Sequence, residues 1–208
     1  MSESPRRRTQ VERSEEMRAR LAKAAYEVMA ERGHSAFRTA AVAAWAGVSQ
    51  GAQLHHFATK EQLAVAALEY ALREASVLSE ARLNGIRPGE DPLSHMLADL
   101  AAFFQGPHYW VSLDIAMDGA KNEEITAEIR EITSRYRGQL YDKWAELLAA
   151  NGWTSADAAE IVRMAAATMG GMGMRSMWAD VGEHLPEVIG RLQEMILKTW
   201  PRPRKRRG

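Results

Sequence analysis

The chain has 208 residues, 27 Lys/Arg against 27 Asp/Glu, and no cysteine, which excludes disulfides and thiolate zinc sites. Ala, Leu, Met, Glu and Arg dominate and no alternating strand pattern is visible, so the composition favours helices. No apolar run approaches the ~20 residues that span a bilayer and no secretory leader opens the chain, so a cytoplasmic location and no membrane partner are expected.

The zero net charge conceals a strong division. Residues 1–60 carry ten Lys/Arg against six Asp/Glu, residues 61–201 carry twelve against twenty-one, and the last seven residues add five positive charges. A basic first portion on an acidic body suits a protein with one nucleic-acid face. At the start, Arg6-Arg7-Arg8 follows Pro5 in a polar arm that either reaches a minor groove or only solubilises. A helix is predicted from about Val11, with Met17, Leu21, Ala24, Ala25 and Val28 in one apolar stripe and Gly33 as its stop. Phe37 anchors the entry to the next element, where Arg38 or Thr39 can meet phosphate.

Two helix-sized segments follow, joined by a tight break. Thr39 is expected to cap Ala40–Ala46, Gly47 to close it, and Ser49 to cap Gln50–Phe57. Two short helices over a Gly-containing turn form a helix-turn-helix; a surface hairpin in an all-α domain is the plainer alternative. Ala40, Ala41, Ala43, Ala44 and Ala46 allow close crossing, whereas Gln50, Gly51, Gln53, His55 and His56 give the second segment polar edges. Gln pairs bidentately with adenine, and Gly51 admits a close approach of DNA.

Residues 37–63, FRTAAVAAWAGVSQGAQLHHFATKEQL, resemble the DNA-binding signature of the TetR (tetracycline repressor) family of bacterial transcription regulators. The matching positions are Thr39, Ala46, Gly47, Val48, Ser49, His56, Phe57, Lys60 and Glu61. The chain departs where the family has Leu-Tyr: Gln53 and Leu54 stand there, which leaves open which of the two faces DNA. The resemblance implies an all-α homodimer. Its N-terminal three-helix helix-turn-helix domain would bind DNA, and its larger C-terminal helical domain would dimerise and bind ligand.

Thr59-x-x-Gln62 reads as a capping box, and Thr59 with Lys60 at a helix start suits phosphate. This helix runs toward Leu78 or Leu83; in the resembling family it links ligand occupancy to the spacing of the recognition helices. Residues 91–119 read as two helices broken at Gly106-Pro107. Aromatic and Met side chains there could line a ligand pocket or form plain core: Met96, Phe104, Trp110 and Met117, with Asp114 as the polar anchor. Glu123 to Ala150 reads as one long helix through Ile129, Ile132, Tyr136, Leu140 and Trp144. The next, capped by Thr154 or Ser155, runs toward Trp178 and contains Met169-Gly170-Gly171-Met172-Gly173-Met174. Three glycines within a helix, each unfavourable by ~1 kcal/mol relative to Ala, call for either close helix approach or a bend beside a cavity. The resemblance places Gly170, Gly171, Met174, Met177 and Trp178 at a four-helix dimer interface. A last helix covers Leu185–Trp200.

No phosphate loop, paired-His helix or nucleophile elbow is present, so no catalytic residue, metal site or cofactor is expected. The expected organisation is a DNA-binding domain over residues 1–58, a ligand-binding and dimerisation domain over 59–201, and a basic tail over 202–208. Gln50, Gly51, Gln53 and His55 are expected to read bases, and Arg38, Thr39, His56, Thr59 and Lys60 to hold phosphates. The partners would be a palindromic double-stranded operator and a small, mostly apolar effector that releases a repressor from it. Two alternatives stand: a second domain that only dimerises, and a helical enzyme using Asp114 or Asp118 as a base.

Overall fold

The structure is a computed structural model that describes residues 9–120 and 122–202. The basic arm Arg6-Arg7-Arg8 and the tail beyond Arg202 lie outside the described residues. Among the described residues every regular element is helical. The chain forms two compact units: residues up to Ala71 with Val111–Ile132, and Leu72–Trp110 with residues from Thr133 on.

In the first unit, α1 (Gln10–Arg32) opens on a reciprocal cap. The Thr9 hydroxyl accepts from the Glu12 amide at 3.2 Å, and the Glu12 carboxylate accepts from the Thr9 amide at 2.6 Å. Leu21, Ala25 and Val28 are fully buried along its inner stripe. α2 (Thr39–Trp45) and α3 (Gln50–His56) pack on α1 and on each other. Phe37, Val42, Ala43, Ala46 and Phe57 complete this core; burying a Phe or Val there stabilises by roughly 1.5–3 kcal/mol each. That packing is what keeps seven-residue helices formed, since helices so short are unstable alone.

The turn between α2 and α3 depends on Gly47, whose φ of +64° is a left-handed conformation that side chains resist. Ser49 caps α3 as expected, accepting from the Ala52 amide at 3.1 Å. Thr39 does not cap α2: it is the first helical residue, Arg38 occupies the cap position, and no side-chain bond closes that end. α4 (Lys60–Asn84) gives Leu63, Val65, Ala67 and Leu68 to the first core. The later part of α6 (Pro107–Gly119) and α7 (Glu123–Thr133) add Val111, Ile115, Ile129 and Ile132.

The second unit takes the remainder of α4 and α5 (Pro92–Phe104), whose cap Asp91 accepts from the Ser94 amide at 3.2 Å. α5 packs against α8 (Gln139–Ala150), α9 (Ser155–Arg175) and α10 (Leu185–Thr199). Leu93, Met96, Leu97, Leu100, Trp144, Leu148 and Ile161 are buried at the centre.

Two expectations change here. The predicted single helix over 123–150 is interrupted by a wide π-turn at Ser134–Gly138, and α9 ends at Arg175 rather than running to Trp178. The glycines of α9 have a reason inside the chain. A Cβ on Gly173 would lie 2.6 Å from the Phe104 carbonyl oxygen and 2.9 Å from the Tyr109 ring, and one on Gly170 would lie 3.2 Å from the Phe104 ring. These two glycines therefore let α9 touch the Phe104–Tyr109 corner, which is the close-approach reading of the motif.

Candidate nucleic-acid interface and effector site

The outer face of α3 follows from helical spacing. Gln50, Gly51, Leu54 and His55 fall on one side, at i, i+1, i+4 and i+5, and all four are exposed. The face therefore combines an amide that can donate and accept, a residue without side chain, an apolar contact and an imidazole. Gln53 points the other way and is 0% exposed. Its Nε2 donates to the Phe57 carbonyl at 2.9 Å, tying off the end of α3. The expectation that Gln53 reads bases is thereby corrected: its side chain is buried with the amide nitrogen bonded inside the fold, and Leu54, 45% exposed, takes the outward position.

Arg18, not singled out from sequence, braces this end from α1. Its guanidinium donates to the His56 carbonyl at 2.5 Å and covers the Phe57 ring at 4.3 Å. A cation at a helix C-terminus is favourable there. Partial desolvation, with the neighbouring His55 and Arg18, holds His56 below the ordinary imidazole range, so near neutral pH it is an uncharged N–H donor. The only legible signal for Arg18 was its place on the polar side of α1.

The other expected phosphate residues lie in the same unit. Arg38 is exposed at the entry to α2, its Nη1 donating to the Ser35 and Phe37 carbonyls at 2.8 and 3.1 Å. Thr39 is half-buried on the first turn of α2. Thr59 is exposed and its hydroxyl accepts from the Gln62 amide at 3.1 Å, while the Gln62 side chain accepts from the Ala58 amide rather than from Thr59. The Lys60 ammonium lies 5.4 Å from the Phe37 ring centroid.

The residues expected to line an effector pocket are dispersed. Met96 is wholly buried in the α5 core and Phe104 is committed to the α9 glycines. Trp110 is half-buried with its ring 5.5 Å from that of Tyr109. Asp114 is half-buried and Met117 exposed, both in the first unit. A cavity of about 230 Å³ in that unit is lined by Glu61, Val65, Ile115, Asp118, Asn122 and Ile125 among others, and includes none of the five. Of the expected dimer residues, Gly171 faces open space and Met174, Met177 and Trp178 are exposed; Gly170 instead faces inward onto Phe104.

Sequence reading also missed Arg137. It is buried within the π-turn, with its guanidinium 3.8 Å from the Phe103 ring centroid and 5.1 Å from that of Tyr141. Regular α-helical spacing puts Tyr136 rather than Arg137 on the apolar side, so the sequence carried no signal for it.

Residues 21–67 match the family described as bacterial regulatory proteins, tetR family. Over 185 residues the chain is 35% identical to the HTH-type transcriptional regulator CymR of Pseudomonas putida, covering 89% of this chain and 91% of that one. A crystal structure of a transcriptional regulator from Rhodococcus sp. Rha1 is similar at 25% identity, with 88% and 97% coverage and a TM-score of 0.62. The multidrug binding protein EbrR, solved with imidazole, shares the fold at 24% identity, with 91% and 97% coverage and a TM-score of 0.60.

Proposed function

Because the chain belongs to the TetR family of bacterial transcription regulators, we propose that it is an effector-controlled repressor acting as a homodimer on a palindromic operator. The observation that carries the DNA half of this reading is the outward face of α3: Gln50, Gly51, Leu54 and His55 exposed together on a helix braced by Arg18. Each subunit inserts α3 into a major groove. Gln50 and His55 meet base edges, Leu54 meets a thymine methyl, and Gly51 permits close approach. Arg38, Thr39, His56, Thr59 and Lys60 hold phosphates on either side. Two-fold symmetry sets the half-sites about 34–36 Å apart, or a multiple of that.

Dimerisation is assigned to α9, α10 and the segment that joins them, which leave Met164, Met174, Met177, Trp178 and Met195 exposed. Exposed apolar side chains gathered on one face suit an interaction surface. Residues 1–58 then form the DNA-binding part and 59–201 the dimerising and effector-binding part. α4 gives residues to both compact units, so a change in its second half is transmitted along one continuous helix toward α3. EbrR has been crystallised with imidazole, proflavin and malachite green, which supports a small organic effector here. A second reading, in which the second domain only dimerises, draws on the packing of Met96 and Phe104 as ordinary core.

Fluorescence anisotropy with a duplex selected from a random pool tests the DNA reading. Tight binding, weakening steeply with salt and lost in the Gln50→Ala/His55→Ala double variant, is the expected result. Failure of the wild-type chain to bind any duplex at low salt would overturn it.

A further inference from the structure

We propose that the second unit takes an effector made of a carboxylate on an apolar body, with Arg137 as the group that holds the carboxylate. This rests on the effector-controlled reading above and names the chemistry of the effector.

Arg137 is 3% exposed, and its Nε, Nη1 and Nη2 are all buried with no hydrogen-bond partner among the described residues. Burying a guanidinium strips its hydration, and that cost is offset only by partners that hydrogen-bond it. The rings of Phe103 and Tyr141 offset only part of the desolvation, because stacking over an aromatic face is weak beside the loss of hydration. The same unit shows what a structural buried charge looks like. Asp99 is wholly buried too, yet its two oxygens accept from Arg82 at 2.9 Å and from the Trp144 indole at 3.2 Å.

The backbone puts Arg137 there by a specific device. Regular helical spacing from Ile129 and Ile132 would bring Tyr136 onto the inner face. The π-turn at Ser134–Gly138 adds one residue, and the buried series becomes Ile129, Ile132, Arg137, Leu140 and Trp144, with Tyr136 half-buried. Single π-turns are rare and concentrate at functional sites. Here the turn exchanges an aromatic residue for a cation at the edge of an aromatic cluster. Phe103, on which the guanidinium lies, is edge-on to Phe104 at 5.0 Å and to Tyr109 at 5.9 Å.

The ligand chemistry follows from these neighbours. A guanidinium fork matches the two oxygens of a carboxylate. Phe103 and Tyr141 favour an apolar body behind those oxygens over a fully hydrated inorganic anion. The polar anchor expected at Asp114 is thus replaced by one of opposite sign.

The test uses the full chain, a selected operator duplex, and matched acid and amide pairs: benzoate with benzamide, octanoate with octanamide, and inorganic phosphate as a small-anion control. Thermal unfolding and operator release are read for the wild type, Arg137→Met and Arg137→Lys. At least one acid is expected to raise the unfolding temperature and release the operator at tenfold lower concentration than its amide, with phosphate inert. Arg137→Met should still bind operator but respond to acid and amide alike, and Arg137→Lys should keep a reduced acid preference. Equal action of acid and amide on the wild type would overturn the proposal while leaving effector control standing. So would phosphate acting as well as benzoate, or an undiminished acid preference in Arg137→Met. If no acid acts, the carboxylate proposal falls; if no neutral compound acts either while operator binding persists, effector control falls with it. The wild-type comparison decides the matter even if a variant does not fold.

Discussion

Asp99 and Arg137 sit in the same unit, on neighbouring helices, and both are buried charges. One is answered by the fold and the other is not. Asp99 has a cation and an indole N–H within hydrogen-bonding distance, so its charge is part of how α4, α5 and α8 hold together. Arg137 has only ring faces. The pair teaches that burial alone does not separate structural charges from functional ones; the separating feature is whether the chain itself supplies the partner.

The most severe way to break the comparison is at Asp99. Asp99→Ala removes the partner of the buried Trp144 indole and of the half-exposed Arg82, and should lower unfolding stability by roughly 1.5–3 kcal/mol in urea denaturation. At Arg137 the sign should reverse. Replacing an unpaired buried guanidinium by Met, of similar length, should leave the ligand-free protein equally stable or more stable by up to roughly 4 kcal/mol. A loss comparable to that at Asp99 would show that Arg137 is structural after all.

α3 carries the same contrast on a smaller scale, with Gln53 closed inside and His55 open to solvent. Gln53→Ala should lower stability by roughly 1–3 kcal/mol, through the lost bond to Phe57 and the space left behind. His55→Ala should leave unfolding within about 0.5 kcal/mol of wild type and weaken operator binding by roughly 1–3 kcal/mol. If the two variants exchanged phenotypes, the assignment of inner and outer faces would be wrong.

The smallest effect expected is on acidification. Burial lowers His108 below the ordinary imidazole value of 6.5, against a weaker opposing influence of Glu74. Desolvation, His55 and Arg18 lower His56 in the same direction. The native chain then binds fewer protons than the unfolded chain below that value. Stability from these two groups is therefore complete above pH 6.5 and declines as pH falls. Unfolding temperature measured from pH 7.5 to 5.5 should decrease, and His108→Gln should flatten the decrease.

Much of the DNA-binding half was legible because its signals are local. Gly47, Ser49 and the small residues of α2 each impose a conformation or a separation that neighbours cannot override, and the helices appear where those residues placed them. Local signals did not decide which of Gln53 and Leu54 faced outward, because both suit a helix. The inward choice is held by Phe57, beyond the helix end, whose carbonyl accepts from the Gln53 amide. The π-turn was illegible for a related reason. Ile129, Ile132, Tyr136 and Leu140 keep perfect α-spacing on paper, and only packing against α5 reveals that Arg137 rather than Tyr136 occupies the inner face. The glycines of α9 were legible as a demand for closeness but not as to whom: Gly170 and Gly173 serve Phe104 and Tyr109 of the same chain, while Gly171 faces open space.

The tryptophans differ enough in surroundings to be useful optically. Trp144 is sealed in the α5–α8 core, whereas Trp178, just past α9, is 69% exposed on the face assigned to self-association. An indole in water emits further to the red than one in hydrocarbon. Dilution through the association range should thus redden the emission of Trp178 while that of Trp144 stays constant, and the chain carries its own gauge of assembly without an added dye.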